Sequence, residues 1–146
     1  MDRPEAARAP LESRRMTAPR RPEARVQITL RWRDMDEIGH LNQSVYHELI
    51  EEGRAVLLEA LISDTASYVL ARVELDHHEE VLRTDGTVDV VVRVARVGRS
   101  SIEVEHDVVR ADGTLAASGR SVLVRWDLRA RRSRPLTDEE RALLGG

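Results

Sequence analysis

One stretch limits the fold more than any other. Between positions 45 and 61 the apolar residues recur at three- and four-residue spacing, whereas those before and after recur mainly at every second residue. Val45, Leu49, Gly53, Val56 and Ala60 form one stripe, and Tyr46, Ile50, Leu57 and Leu61 an adjacent one. Together they predict a helix of about five turns. Asn42 stands where an N-cap belongs. Gly53, in mid-helix, costs roughly 1 kcal/mol against alanine, so its presence predicts that a sheet approaches closely there.

Around that helix the pattern is extended. Val26, Ile28, Leu30 and Trp32 alternate with Gln27, Thr29, Arg31 and Arg33, the signature of a half-buried first strand. After the helix, Val69 to Leu75, Val88 to Val94 and Ile102 to Val108 alternate through three more strands, and Val122, Val124 and Trp126 end another. Asp85-Gly86, Gly98-Arg99-Ser100 and Asp112-Gly113 are turn signals, the last two suited to hairpins, so consecutive strands are antiparallel. Thr137 with Glu140 at capping-box spacing opens a short helix over 137–144. The expected architecture is α+β: an antiparallel sheet of about five strands against one long helix. The helix is apolar over a broader arc than one sheet face requires, which predicts a further copy of the chain as partner.

Residues 1–24 hold four of the five prolines, many Arg and Ala, and no apolar periodicity, the composition of a solvated tail; residues 25–146 are read as one domain. With no cysteine, the chain can form neither a disulfide nor a thiolate metal site, and has no Cys nucleophile. No apolar run approaches the roughly 18 residues that span a bilayer, and no signal-type apolar segment opens the chain, so the expected compartment is the cytoplasm and no membrane partner is expected. All 23 basic residues are Arg, but 26 acidic residues give a formal charge of -3, which disfavours nucleic acid as a partner.

Chemistry concentrates in the polar loop before the helix, Arg33-Asp34-Met35-Asp36-Glu37-Ile38-Gly39-His40-Leu41-Asn42, with Tyr46 one turn inside the helix. Acids at such positions most often cap helices and brace turns. This loop, however, resembles the D-x-D-x-x-G-H-x-N loop of hotdog-fold thioesterases related to 4-hydroxybenzoyl-CoA thioesterase. The element order, the helix length and the Gly98-Arg99-Ser100-Ser101 and Gly119-Arg120-Ser121 segments resemble that family as well, from Arg25 to about Leu128. The resemblance implies a hotdog fold and hydrolysis of an acyl-CoA thioester without a cofactor, by a homodimer or homotetramer. It selects Asp36 as the catalytic carboxylate, nucleophile or general base, and leaves Asp34 as a bracing or capping acid.

Thioester hydrolysis needs a nucleophile, or a base to make one from water, and donors for the negative charge that develops on the carbonyl oxygen. An aspartate carboxylate is ionised at neutral pH and suits the first task. The unpaired amides and positive dipole end of a helix beginning near Asn42 suit the second. The candidate catalytic residues are therefore Asp36, His40, Asn42 and Gln43, with the oxyanion amides expected between Asn42 and Val45. Gly39 and Tyr46 are candidate substrate contacts. Arg99, Ser100 and Ser101 form a turn chemically suited to CoA phosphates, with Arg93, Arg96 and Arg120 as further candidates.

Other readings carry less. His47, His77, His78 and His106 lack the i, i+4 spacing of helical metal ligands, so no metal is expected; Ser44 and Ser121 lie in no G-x-S-x-G elbow. The alternatives are a non-catalytic acyl-CoA-binding module, a hydrolase of carrier-protein thioesters, and a hotdog dehydratase. His77-His78-Glu79-Glu80 departs from the apolar or Pro-containing stretch of many relatives, which leaves the acyl group open. The scarcity of aromatics inclines toward an aliphatic one.

Overall fold

The computed structural model describes residues 21–62 and 67–146. The chain runs β1 (Glu23–Thr29), α1 (Gln43–Leu61), β2 (Tyr68–His77), β3 (Thr87–Val97), β4 (Ser101–Arg110), β5 (Leu115–Asp127), the two-residue β6 (Arg132–Ser133) and α2 (Asp138–Leu143). The order across the sheet is β1-β3-β4-β5-β2, with β6 beside β5, and the strand pairs are antiparallel. This curled sheet wraps α1 in the hotdog arrangement. Of the expected tail, residues 1–20 lie outside the described residues. Glu23 and Ala24 pair with Arg93 and Val92, so the sheet begins two residues ahead of the expected start at Arg25.

Helix α1 buries Val45, Tyr46, Leu49, Ile50, Leu57 and Leu58. It lies mainly on β1 and β3, whose inward Val88, Val90, Val92 and Val94 are almost wholly excluded from solvent. The expected close approach is at Gly53. A Cβ there would meet Val90 Cγ1 and Val92 Cγ2, each at 2.8 Å, well inside ordinary carbon contact. Alternation also holds in β4, where Ile102, Val104, His106 and Val108 are buried. The hairpins at Gly98 and Asp112-Gly113 and the Thr137–Glu140 capping box form where expected.

Three expectations are corrected. Trp32 does not continue the inward stripe of β1: the strand ends at Thr29, a single 3-10 turn follows at Trp32–Asp34, and the indole is 75% exposed. In β5 the alternation has the opposite phase, because Ser121, Leu123 and Arg125 are the buried positions and Val122, Val124 and Trp126 are only partly covered. A one-residue shift moves every side chain to the other face, and the burial of Ser121 and Arg125 hides the phase from a hydrophobicity count. In β2, Val69, Leu70 and Ala71 are exposed, since β2 is an edge strand whose register with β5 breaks between Leu70 and Arg72.

Candidate active site

The loop between β1 and α1 is built by its two aspartates in different ways. Asp34 is 2% exposed. It accepts hydrogen bonds from the Arg31 backbone N–H (2.7 Å) and from the Arg31 guanidinium (2.9 Å to Oδ1). Burial pushes its carboxyl up, but these bonds and the Arg31 charge hold it below the usual carboxylate range. Its backbone carbonyl accepts from Asn42 N–H at 2.8 Å, tying the first acid to the start of the helix. Asp34 is thus a brace.

Asp36 holds the tip of the loop. Its Oδ1 accepts from the N–H groups of Ile38 and His40, each at 3.0 Å, while its own N–H donates to His40 O at 2.8 Å. Gly39, at φ +78°, takes the left-handed conformation this tight return requires, and its N–H donates to Asp36 O. Among the described residues no hydrogen bond or ion pair occupies Oδ2. The carboxylate therefore spends one oxygen on the loop and leaves the other without a partner among the described residues. His40 Nε2 lies 2.6 Å from Glu80 Oε2, and His40 and Leu41 pair through their backbones with Leu82 and Val81, so the loop is fastened to the segment after β2.

At the helix start, Asn42 Oδ1 accepts from Ser44 N–H (3.1 Å) and Ser44 Oγ–H (2.9 Å), and Val45 N–H donates to Asn42 O (2.9 Å). With Asn42 N–H given to Asp34, the expected set of free amides narrows to one. Among the described residues, Gln43 alone of the four from Asn42 to Val45 has an unpartnered backbone N–H. Asp36, His40, Asn42, Gln43 and Tyr46 share the wall of a cleft of about 700 Å³. The opposite wall is His77, His78, Glu79, Glu80 and Val81, the polar stretch that the sequence marks as unusual. Tyr46 is buried there edge-on to the His77 ring (centroids 4.7 Å apart), and burial raises its phenol above the ordinary value, with Asp85 adding to the rise. A cleft that combines a carboxylate, an unpaired amide at a helix N-terminus and room beside both can accommodate attack on a carbonyl carbon.

The model of the thioesterase-like superfamily matches residues 30–144. The chain belongs to that superfamily. Among solved structures, the thioesterase-superfamily chain resembles a thioesterase from Thermus thermophilus, complexed with coenzyme A and Zn, at 34% identity and TM-score 0.76, covering 88% of this chain and 98% of that one. A predicted thioesterase from Bacillus stearothermophilus is 26% identical, with TM-score 0.74 and coverage of 84% and 94%. The DHNA-CoA thioesterase from Staphylococcus aureus, 16% identical with TM-score 0.66 and coverage of 78% and 79%, shares the fold. No curated protein matches. Among the described residues no group of three His, Asp or Glu side chains is placed to hold a metal ion.

Other candidate residues of this thioesterase lie elsewhere. Arg99, Ser100 and Ser101 line neither cavity that Asp36 borders; the turn is covered by the C-terminal segment, with Leu136 N–H donating to Arg99 O and Arg141 to Gly98 O. Arg93 and Arg120 pair with Asp107 (2.8 Å) and Glu103 (3.0 Å) in ion pairs of the sheet, and Arg96 is exposed. Ser121 does meet a histidine, with His106 Nε2 2.9 Å from its Oγ. Both are fully buried, and Arg54 donates to the same oxygen at 3.0 Å, so this pair is a packed polar network out of reach of substrate. Sequence reasoning marked His77 to Glu80 as a departure bearing on the acyl pocket, by their polarity, but did not place them on the wall of this cleft, and Val81 carried no such signal.

Proposed function

We propose that the chain hydrolyses an acyl-CoA thioester to the free acid and CoA, with Asp36 as the catalytic carboxylate and the Gln43 amide as oxyanion donor. The observation that carries this reading is the division of labour at Asp36: Oδ1 is spent on the loop, and Oδ2 is free beside a cleft that also holds the one unpaired amide of the α1 start. In one course Asp36 takes a proton from water as the hydroxide attacks the thioester carbon, then returns it to the departing thiolate. In the other it attacks the thioester carbon directly, the C–S bond breaks and the CoA thiolate leaves, to be protonated by water. A further water then cleaves the resulting mixed anhydride to the free acid and the restored carboxylate. In both, the carbonyl oxygen gains charge that the Gln43 N–H and the dipole of α1 stabilise. His40 and Asn42 fix the loop and the cap that hold these groups in register. The superfamily membership supports the reaction class, and the CoA in the Thermus thermophilus structure supports the carrier.

The same reading assigns a homo-oligomer in the cytoplasm. The exposed edge of β2, with Val69 and Leu70 turned to solvent, and the exposed Val56 of α1 support a second copy. No helix of the described residues is long and apolar enough to cross a membrane. The test is release of free thiol from a panel of acyl-CoAs varied in chain length, branching and polarity. Turnover of at least one member is expected; tight binding of acyl-CoA with no thiol release would replace the reading with that of a binding module.

A further inference from the structure

The cleft beside Asp36 has a wall whose chemistry thioester hydrolysis by itself does not require. His77, His78, Glu79 and Glu80 face the Asp36 side across about 700 Å³, and no arginine lines that space. Leu41, Tyr46 and Val81 also line it, but they are almost wholly buried and offer little surface to a bound group. Most of the polar wall is already engaged. Glu80 is taken by His40 at 2.6 Å and His78 by Ser118 Oγ at 2.7 Å, and the His77 ring lies edge-on to Tyr46. Glu79 differs. Its backbone is fixed, with N–H donating to Ala116 O at 3.1 Å, while its exposed carboxylate has neither hydrogen bond nor ion pair among the described residues.

A thioester carbon within reach of both Asp36 and the Gln43 N–H carries its acyl group into this cleft, and different acyl groups fare differently there. An alkyl chain would cover polar groups without replacing their water, and it gains little apolar contact in return. A terminal carboxylate would meet Asp36, Glu79 and Glu80 with no guanidinium to offset them. A hydroxyl or ammonium group instead finds in Glu79 an acceptor whose lone pairs are unspent, and the ammonium gains charge attraction as well. We infer that the cleft selects an acyl group bearing a hydrogen-bond donor, an ammonium above a hydroxyl, with Glu79 as the residue that discriminates. The inference rests on the proposed thioesterase reading and deepens it by naming the substrate class. It departs from the aliphatic acyl group toward which the scarcity of aromatics inclines.

The test uses CoA thioesters that share a two-methylene spacer and differ in the end group: butyryl (methyl), 3-hydroxypropionyl (hydroxyl), β-alanyl (ammonium) and succinyl (carboxylate). Palmitoyl-CoA is added as a long alkyl chain, and every rate is corrected for spontaneous hydrolysis. In parallel, calorimetry follows binding of the matching thioethers, in which a methylene replaces the carbonyl and no hydrolysis occurs. Wild type is expected to give kcat/KM in the order ammonium, hydroxyl, methyl, carboxylate, with the ammonium about tenfold or more above either alkyl substrate. Thioether affinities should follow the same order. Glu79→Gln keeps the size and an acceptor but not the charge, and should shrink the preference for ammonium over methyl about tenfold while bringing carboxylate closer to methyl. Butyryl- or palmitoyl-CoA cleaved as well as the ammonium substrate, succinyl-CoA accepted on a par with butyryl-CoA, or an ammonium preference untouched by Glu79→Gln would overturn the inference and leave thioester hydrolysis standing. Should no thioester release thiol, the hydrolytic reading falls and the thioether affinities decide alone: the expected order upholds the selectivity, and any other order ends it.

Discussion

A carboxylate that spends one oxygen on its own loop responds to substitution in two separable ways. Asp36→Ala removes both the charge and the Oδ1 bonds to Ile38 and His40, whereas Asp36→Asn keeps an acceptor for both amides. Asp34, closed off by Arg31, contributes to shape rather than chemistry. A second residue-scale consequence concerns His106. Burial, followed by the Arg54 charge, lowers its pKa from 6.5 to about 4. In the unfolded chain it regains an ordinary value, so below pH 6.5 the unfolded state binds a proton that the native state does not. Stability should therefore fall as pH drops from 6.5 to about 4, by up to about 3 kcal/mol from this group at roughly 1.4 kcal/mol per pH unit. Denaturant titrations across that range should show a steeper loss in wild type than in His106→Leu; identical slopes would remove His106 from the account. The two aspartates were legible as a motif and the resemblance assigned them different roles, but the separate use of the two oxygens of Asp36 was not legible, because it depends on which amides fold back on the carboxylate. The His106–Ser121–Arg54 network was not legible at all, because a buried polar triad leaves no mark on a hydrophobicity pattern.

Among the elements, α1 has the tightest constraint. Gly53 lets the helix lie on β3, and Gly53→Ala would set a methyl carbon at 2.8 Å from Val90 and Val92, both β-branched and held on a central strand. Alanine favours a helix by roughly 1 kcal/mol, yet overpacking of this kind costs about 1–3 kcal/mol. Gly53→Ala should lower the unfolding free energy, read from the denaturant midpoint at constant slope, and a gain in stability would show that α1 can move off the sheet without cost. The same contact explains why this helix was readable from spacing alone: one glycine in an otherwise apolar stripe has a single economical cause. Strands β3 and β4 were equally readable, since every inward position but His106 is aliphatic. Where inward positions are polar, as in β5, or where an apolar residue lies past the end of a strand, as at Trp32, alternation misassigns the face. Edge strand β2 fails for another reason: Val69, Leu70 and Ala71 have no second layer over them within one chain, while Tyr68 and Leu75 pack on the core.

At the scale of the whole molecule, the sheet and helix bring a charged loop, a helix start and two cavities to one place, and the uncovered β2 edge adjoins His77 on the wall of the larger cleft. Oligomerisation through that edge would bring a second copy close to the site. Sedimentation equilibrium should give at least twice the 16.5 kDa chain mass, and a charged substitution, Leu70→Glu, should shift the population toward monomer; a stable wild-type monomer would contradict this. Element order and the loop motif made the fold legible in advance and marked the loop proposed here as the site, while the His77–Val81 wall of the cleft required the three-dimensional arrangement. The central claim remains that the free oxygen of Asp36 performs the chemistry. Its most direct measurement is kcat of Asp36→Asn on the best acyl-CoA, alongside its unfolding midpoint. A fall of about 10²–10⁴ in kcat with the midpoint unchanged is the predicted result; an Asp36→Asn enzyme that turns over within a few-fold of wild type would contradict it.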